Sequence, residues 1–354
     1  MYRKYILAFS FFFILFSCLD EIDLDVPAGL EDSIVIRGEL VKGEPSTIVV
    51  YVSRVFNFDL TSRTPFNARS VDLMDEEGNK MNIISTQDGV HRHTFSPADP
   101  VQVEEGKKYS IRVSTFDGRT YESGFEEILP LPEKGKMRAI SSGVTILNDR
   151  GQQEELPAVR FLLDTPVKMK GRAQNARLLF TPERTFKITD NLQTVCYVTG
   201  NTNINDLFVL DGTIFESDTV RDIPLSRALL SSDFFEGYYY TIYQKSISKG
   251  AFDYWNQTKQ IIERTGNLFE APAGRIESNI ANREDEDDDV FGYFAAYAQD
   301  TLRLYVSPDQ FGSEGRACPP NVPPPPGGGC PVPVCCDCAS VAGSQVIRPE
   351  FWIE

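Results

Sequence analysis

Any chemistry in this chain has to come from seven cysteines, two histidines and one dense run of acids. The first cysteine, Cys18, follows Arg3, Lys4 and the apolar stretch Ile6 to Phe16, and it closes the string Leu15-Phe16-Ser17-Cys18. An aliphatic residue three positions before a cysteine and a small residue directly before it form the pattern of a bacterial lipoprotein signal; Phe16 is the residue off pattern. The apolar stretch falls short of the roughly 18 residues a membrane span needs and suits the hydrophobic region of an export signal. Cleavage before Cys18 would leave that thiol carrying a diacylglyceryl group and its amine a further acyl chain, and two or more chains hold a protein stably to a bilayer. The competing reading is an ordinary secretory peptide with a chance cysteine. Asp20, Glu21 and Asp23 behind Cys18 resemble surface-export signals of some Gram-negative lipoproteins.

Export places the other cysteines, Cys196, Cys318, Cys330, Cys335, Cys336 and Cys338, in an oxidising compartment, where an even set is expected to pair as disulfides. Only Cys196 lies outside the C-terminal stretch, so one bond is expected to tie that stretch to the strand around Cys196, with the pairing otherwise open. A zinc site at Cys335, Cys336 and Cys338 is the rival. Their spacing lacks the Cys-x₂₋₄-Cys pairs of structural zinc. His91 and His93 sit two apart on an expected strand and so share a face, but two imidazoles without a third ligand make a weak metal site. The run Glu284-Asp285-Glu286-Asp287-Asp288-Asp289 could collect calcium through oxygen ligands; it lacks the Asp-x-Asp-x-Asp-Gly frame and reads as a solvated loop. There is no Gly-x-Ser-x-Gly, no His-Glu-x-x-His, no phosphate-cradling glycine loop and no dinucleotide fingerprint. The expectation is a non-enzymatic protein with no catalytic, cofactor or metal residues.

The elements that position these residues read as mainly β. Formal charge is −16, and loss of residues 1–17 with Arg3 and Lys4 takes it to −18, a poor match for nucleic acid. Residues 18–32 read as an acylated, acidic tether. Across 33–130, short alternating segments separated by turn residues (Gly43-Glu44-Pro45, Glu76-Glu77-Gly78-Asn79, Phe116-Asp117-Gly118) predict an immunoglobulin-like or transthyretin-like sandwich. Residues 134–310 predict a second β-sandwich-like domain with one helix over about 249–265. That helix starts at the N-cap Ser248, ends at Gly266, and carries a stripe through Phe252, Trp255, Thr258/Lys259 and Ile262. The stripe is expected to lie on a sheet of the second domain; a ligand groove lined by Tyr254 and Trp255 is the alternative. Residues 315–354, rich in Pro, Gly and Cys, cannot build a core and must be stapled or docked, with Phe351 and Trp352 packing back.

Several stretches together resemble a family. They are LDEIDLDVP behind Cys18, IVIRGELVKGEPSTIVVYVSR, VEEGKKYSIRVSTFDGRTYES, CYVTGN at Cys196, KGAFDYWNQTKQIIERTGNLFEAPAGRIESNI, VFGYFAAYA, CCDC and RPEFW. The chain is similar in them to the uncharacterised Gram-negative lipoproteins of domain of unknown function 4249, with one departure, Ser278-Asn279-Ile280, where Gly-Asn is expected. The resemblance implies an outer-membrane lipoprotein, anchored through Cys18 and working beside a TonB-dependent receptor, with no catalytic residues to carry over. Three roles follow as expectations. The first is a surface-exposed binding or docking accessory to such a transporter. The second is a structural or adhesive envelope protein. The third is a hydrolase built on dispersed carboxylates.

Overall fold

The computed structural model describes residues 33–54, 64–202, 207–263, 276–285, 287–312, 315–318 and 332–353. Cys18, the tether, Cys330 and Gly266 lie outside them. In the N-terminal part, alternation makes β1 (Ile34–Lys42) and β2 (Thr47–Arg54) half-buried strands: Ile36, Leu40, Ile48 and Val50 enter a core while Arg37, Glu39 and Tyr51 point the other way. Then come β3 (Ser70–Asp75), β4 (Lys80–Asn82), β5 (Ser85–Gln87), β6 (Val90–Thr94), β7 (Lys108–Ser114), β8 (Thr120–Ser123) and β9 (Glu126–Glu127).

The second part contributes β10 (Lys136–Leu147), β11 (Gln153–Pro166), β12 (Arg177–Thr189), β13 (Val195–Asn201), β14 (Phe208–Asp211), β15 (Thr219–Leu229) and β16 (Tyr238–Ile247). Helix α1 (Lys249–Ile262) follows, then β17 (Ile280–Asn282), β18 (Val290–Phe291), β19 (Phe294–Val306) and, in the tail, β20 (Ser344–Gln345). The fold is mainly β, as expected. β15 is a strand the sequence reading missed, because Pro224 and three charges, Arg221, Asp222 and Arg227, interrupt its alternation. The chain bends between β18 and β19 at Gly292, which adopts φ +102°. Any Cβ there would lie 2.0 Å from the Ile36 carbonyl oxygen, so the close approach to β1 requires glycine.

Among the described residues the strands form three sheets. An eleven-stranded sheet runs β20-β13-β12-β16-β19-β1-β2-β6-β5, with β14 on β12 and β18 on β1. A six-stranded sheet runs β17-β8-β7-β3-β4, with β9 on β7, and a three-stranded sheet runs β10-β11-β15. The two smaller sheets cover one face of the large one. The first encloses Ile36, Val50, Leu73, Tyr109, Ile111, Phe294 and Ala296. The second encloses Phe161, Leu178, Phe180, Tyr238, Tyr240 and Ile242, with Phe161 stacked on Tyr240 at 4.0 Å between ring centres.

The expected division at residues 130–134 does not cut the large sheet. β19 runs parallel to β1 (Gly38 opposite Phe294, Lys42 opposite Ala298) and antiparallel to β16 (Ser246 opposite Ala298, Tyr238 opposite Val306). Its first half completes the N-terminal core and its second half the other core. β17 also returns to pair with β8. Residues 280–298, expected in the second domain, therefore pack in the first sandwich.

Candidate functional site

The opposite face of the large sheet carries the charged and aromatic groups that could recognise something. β1 places Arg37 and Glu39 there, β16 places Lys245 and β19 places Tyr297, each out of phase with the core residues of its strand. Only the parallel β1–β19 pairing brings Glu39 beside Tyr297. The Tyr297 hydroxyl donates to Glu39 Oε2, Lys245 Nζ lies 3.5 Å from the same oxygen, and Arg37 Nε lies 3.8 Å from Oε1. Lys245 also sits 4.7 Å from the centre of the Tyr297 ring, and Arg37 4.6 Å from that of Tyr51. Burial alone would raise the Glu39 pKa; Lys245, Arg37 and the Tyr297 hydroxyl outweigh it and hold the carboxyl below its usual value. Burial and then the Glu39 charge push Tyr297 well above 10. The acid is thus anionic and the phenol protonated, an arrangement that holds charge and offers no proton for transfer at neutral pH.

Helix α1 covers this end of the face. Ser248 caps it, accepting a hydrogen bond from the Ala251 amide at 3.0 Å. Ala251, Phe252, Tyr254 and Trp255 pack on Leu179, Ile247, Tyr293, Ala295 and Tyr297. The expected stripe therefore holds over its first turns, while Ile262 stays 37% exposed. The helix rests on the shared sheet, on residues of β12, β16 and β19, and not on a sheet belonging to the second sandwich alone. Tyr254 and Trp255 are used in packing, and the Trp255 Nε1 group is buried without a hydrogen-bond partner among the described residues. Beneath the helix start lies Glu126, 6% exposed. Its Oε1 accepts from the Tyr293 hydroxyl at 2.5 Å and from Asn279 Nδ2 at 3.4 Å, and its Oε2 has no hydrogen-bond partner among the described residues. Burial raises its pKa, and hydrogen bonds from Ser248, Tyr293 and Asn279 pull it only part of the way back. Asn279 also clasps the Phe294 backbone, donating to its oxygen at 2.8 Å and accepting from its nitrogen at 2.9 Å.

At the far end of the same face the C-terminal tail takes the place of the helix. Cys196 is bonded to Cys338 and Cys318 to Cys335. Cys336 is disulfide-bonded as well. The expected tie between tail and the Cys196 strand is thus present. The disulfides lie against Ile188 and Val198 on the core side of β12 and β13. The chain then crosses the edge of the sheet as β20, opposite Tyr197 and Val198. Gly343, at φ +79°, brings its backbone so close to Thr199 that a Cβ would sit 2.0 Å from the Thr199 oxygen. Beyond the edge Trp352, 4% exposed, lies 5.0 Å from both Tyr197, which it meets edge-on, and Tyr239, to which it is tilted, and Arg303 lies over Phe351 at 4.3 Å. The tail wraps the sheet edge from one face to the other.

The other sequence candidates do not converge. His91 and His93 do share the core-side face of β6, but His91 Nδ1 meets the Ile83 carbonyl oxygen at 3.1 Å while His93 Nε2 meets Asp99 at 3.0 Å. In the acidic run, Asp288 accepts from the Tyr121 hydroxyl and from Asn282 Nδ2, both at 2.7 Å, and faces Arg119 at 3.6 Å. Asp285 accepts from the Asp287 amide at 3.1 Å, closing a turn. Among the described residues no group of three or more His, Cys, Asp and Glu side chains gathers in a metal-binding arrangement, and no helix is long and apolar enough to cross a membrane. The sequence reading missed Glu39, Lys245 and Glu126; a charge inside an alternating strand was the only signal for the first two.

Two β-sandwiches sharing one sheet, with a helix and a disulfide-held tail on its outer face, define a β-sandwich protein. The profile of a domain of unknown function (DUF4249) matches residues 20–303, and the chain belongs to that family. The match ends inside β19, so the cysteine tail lies beyond it. No curated protein and no solved structure matches the chain.

Proposed function

We propose that this protein works by holding, without catalysis: a lipoprotein anchored through Cys18 to the outer membrane, exposed at the cell surface, and serving as a binding or docking accessory to a TonB-dependent transporter. The observation that carries the reading is Leu15-Phe16-Ser17-Cys18 behind a charged start and an apolar stretch. The architecture supports it. The chain enters the fold at Ile34, directly after an acidic tether, and His91, His93, Asp285 and Asp288 are tied into turns, ion pairs and hydrogen bonds. The acidic surface favours protein or small-molecule partners over nucleic acid.

The test is growth with a labelled fatty acid followed by purification from the membrane fraction. Label on the native chain and its loss in Cys18→Ser support the anchor, whereas label that survives the substitution refutes it. Capture of the anchored protein with its membrane neighbours then tests the partner. A transporter of the TonB-dependent class in stoichiometric yield supports the accessory role. Binding to matrix polymers with no transporter present would favour the structural or adhesive reading.

A further inference from the structure

The edges of the three sheets are guarded unequally. β4, β5 and β17 are three residues long and β20 is two. β15 is broken by two shifts of register against β11 and carries Pro224 with Arg221, Asp222 and Arg227. Short length, bulges, proline and charge are the usual means of keeping a strand edge from pairing with another chain. β10 has almost none of them. It runs twelve residues in unbroken register with β11. Apart from the Ser142 hydroxyl, which donates to the Gly143 carbonyl oxygen at 3.4 Å, no described residue hydrogen bonds to the backbone of its outer edge. From Ala139 to Leu147 it contains no charge and no proline.

The face of β10 turned away from the core carries a short apolar strip bounded by charge: Lys136 and Arg138 share the face, and Arg160 and Glu154 of β11 stand opposite Ile140 and Ile146. Ile140, Val144 and Ile146 lie on it, in phase with Ala158 and Leu229 of the neighbouring strands, and Ile140 is 39% and Leu229 45% exposed. The ends of the strand carry opposite charge. Lys136 stands at one end; the hairpin tip at the other end holds Asp149 and Arg150, with Glu154 and Glu155 following in β11, so that end is net acidic. Among the described residues Lys136, Asp149, Glu154 and Glu155 make no ion pair, whereas their neighbours Lys134 and Arg138 are engaged by Asp300 and by Asp164 and Asp222.

We infer that β10 is the interface of a symmetric dimer, pairing antiparallel with β10 of a second copy across a two-fold axis near Ser142. A surface joined by a two-fold must be complementary to itself, and this strand is: reversal sets the basic end of each copy against the acidic tip of the other. An axis at Ser142 places each Ile140 beside the other copy's Val144, on the same face, and each Lys136 beside the other copy's Asn148-Asp149 turn. The two three-stranded sheets become one continuous sheet of six strands, and the apolar strips merge.

Sedimentation velocity of the purified chain tests this. The expected result is a concentration-dependent dimer that Val144→Lys weakens at least about tenfold, because a charge is then forced into the merged strip. Lys136→Glu is expected to weaken it about threefold, in the range of the two exposed ion pairs that the symmetry creates, and Lys136→Glu combined with Asp149→Lys to restore it. Both residues are exposed, so the charge pair decides the matter even if Val144→Lys disturbs folding. A chain that stays monomeric at about 100 μM, well above the micromolar range of a specific association, overturns the inference and leaves the edge to a different partner. So does a dimer indifferent to Val144→Lys and to the charge exchange.

Discussion

The outer face of the large sheet is closed at its two ends by unlike means. At one end α1, fourteen residues with its own cap, covers Ile247, Ala295 and Tyr297. At the other a tail with scarcely any regular structure covers Tyr197, Tyr239 and Tyr305, and disulfides hold it there. A helix satisfies its own backbone, so an apolar stripe suffices to dock it. A proline-rich segment leaves its backbone unsatisfied and buries little, so covalent bonds must reduce the entropy of the unfolded chain instead. The comparison teaches that the same requirement, covering a sheet, has a non-covalent solution where the sequence can form a helix and a covalent one where it cannot.

The largest effect that would break this contrast is expected from Cys196→Ser with Cys338→Ser. The bond closes a sequence separation of 142 residues, so its loss should cost about 4–5 kcal/mol on the chain-entropy account, read by urea unfolding without reductant. A cost under about 1 kcal/mol would mean that packing alone holds the tail. Next comes Trp352→Ala, which empties the space between Tyr197 and Tyr239. A loss of about 3–4 kcal/mol is expected, with a weakened near-ultraviolet signal from the tyrosines.

At the helix end the prediction turns on two acids with opposite shifts. Glu39 has a lowered pKa, so its contribution is present above the ordinary carboxylate pKa and is lost as pH falls through the depressed value. Glu39→Gln leaves Lys245 and Arg37 without a counter-charge and should cost about 2 kcal/mol at neutral pH, less than a fully buried pair because a quarter of the Glu39 side chain meets solvent. Glu126 has a raised pKa, so its contribution is complete at low pH and declines as pH rises through that value. Glu126→Gln should therefore be neutral or stabilising at pH 7 and should flatten the decline of stability between mildly acid and neutral pH. Thermal melts across that range separate the two substitutions; equal losses from both would sink the assignment. The smallest effect is expected from Ser248→Ala, about 1 kcal/mol for a lost N-cap, read by the same melts.

Much of this was legible in the residues. Ile36, Leu40, Ile48 and Val50 announce β1 and β2 by their spacing, Gly78 and Gly118 mark their turns, and Ser248 with Phe252 and Trp255 places the start of the helix. The link from the tail to Cys196 followed from the position of one cysteine outside it. The site was less legible. Glu39 and Lys245 stand 206 residues apart and look like ordinary solvent-facing charges in alternating strands. Glu126, at the end of a predicted strand, shows nothing of the helix start that comes to lie over it.

By itself, the sequence determined the local matters: the class of each element, the faces of its strands, the oxidation of its cysteines given export, and the pattern around Cys18. These depend on a period of two or of three to four residues and on the chemistry of single side chains. Tertiary structure alone decided which strands met. It set β19 parallel to β1, sent β17 back to β8, made one sheet serve two cores, and left β10 as an open edge. A period-two pattern states which face of a strand is buried but carries no record of the partner. The partner is chosen by the joint burial of segments hundreds of residues apart, so neither the shared sheet nor the charges gathered on it could be seen before the chain was folded.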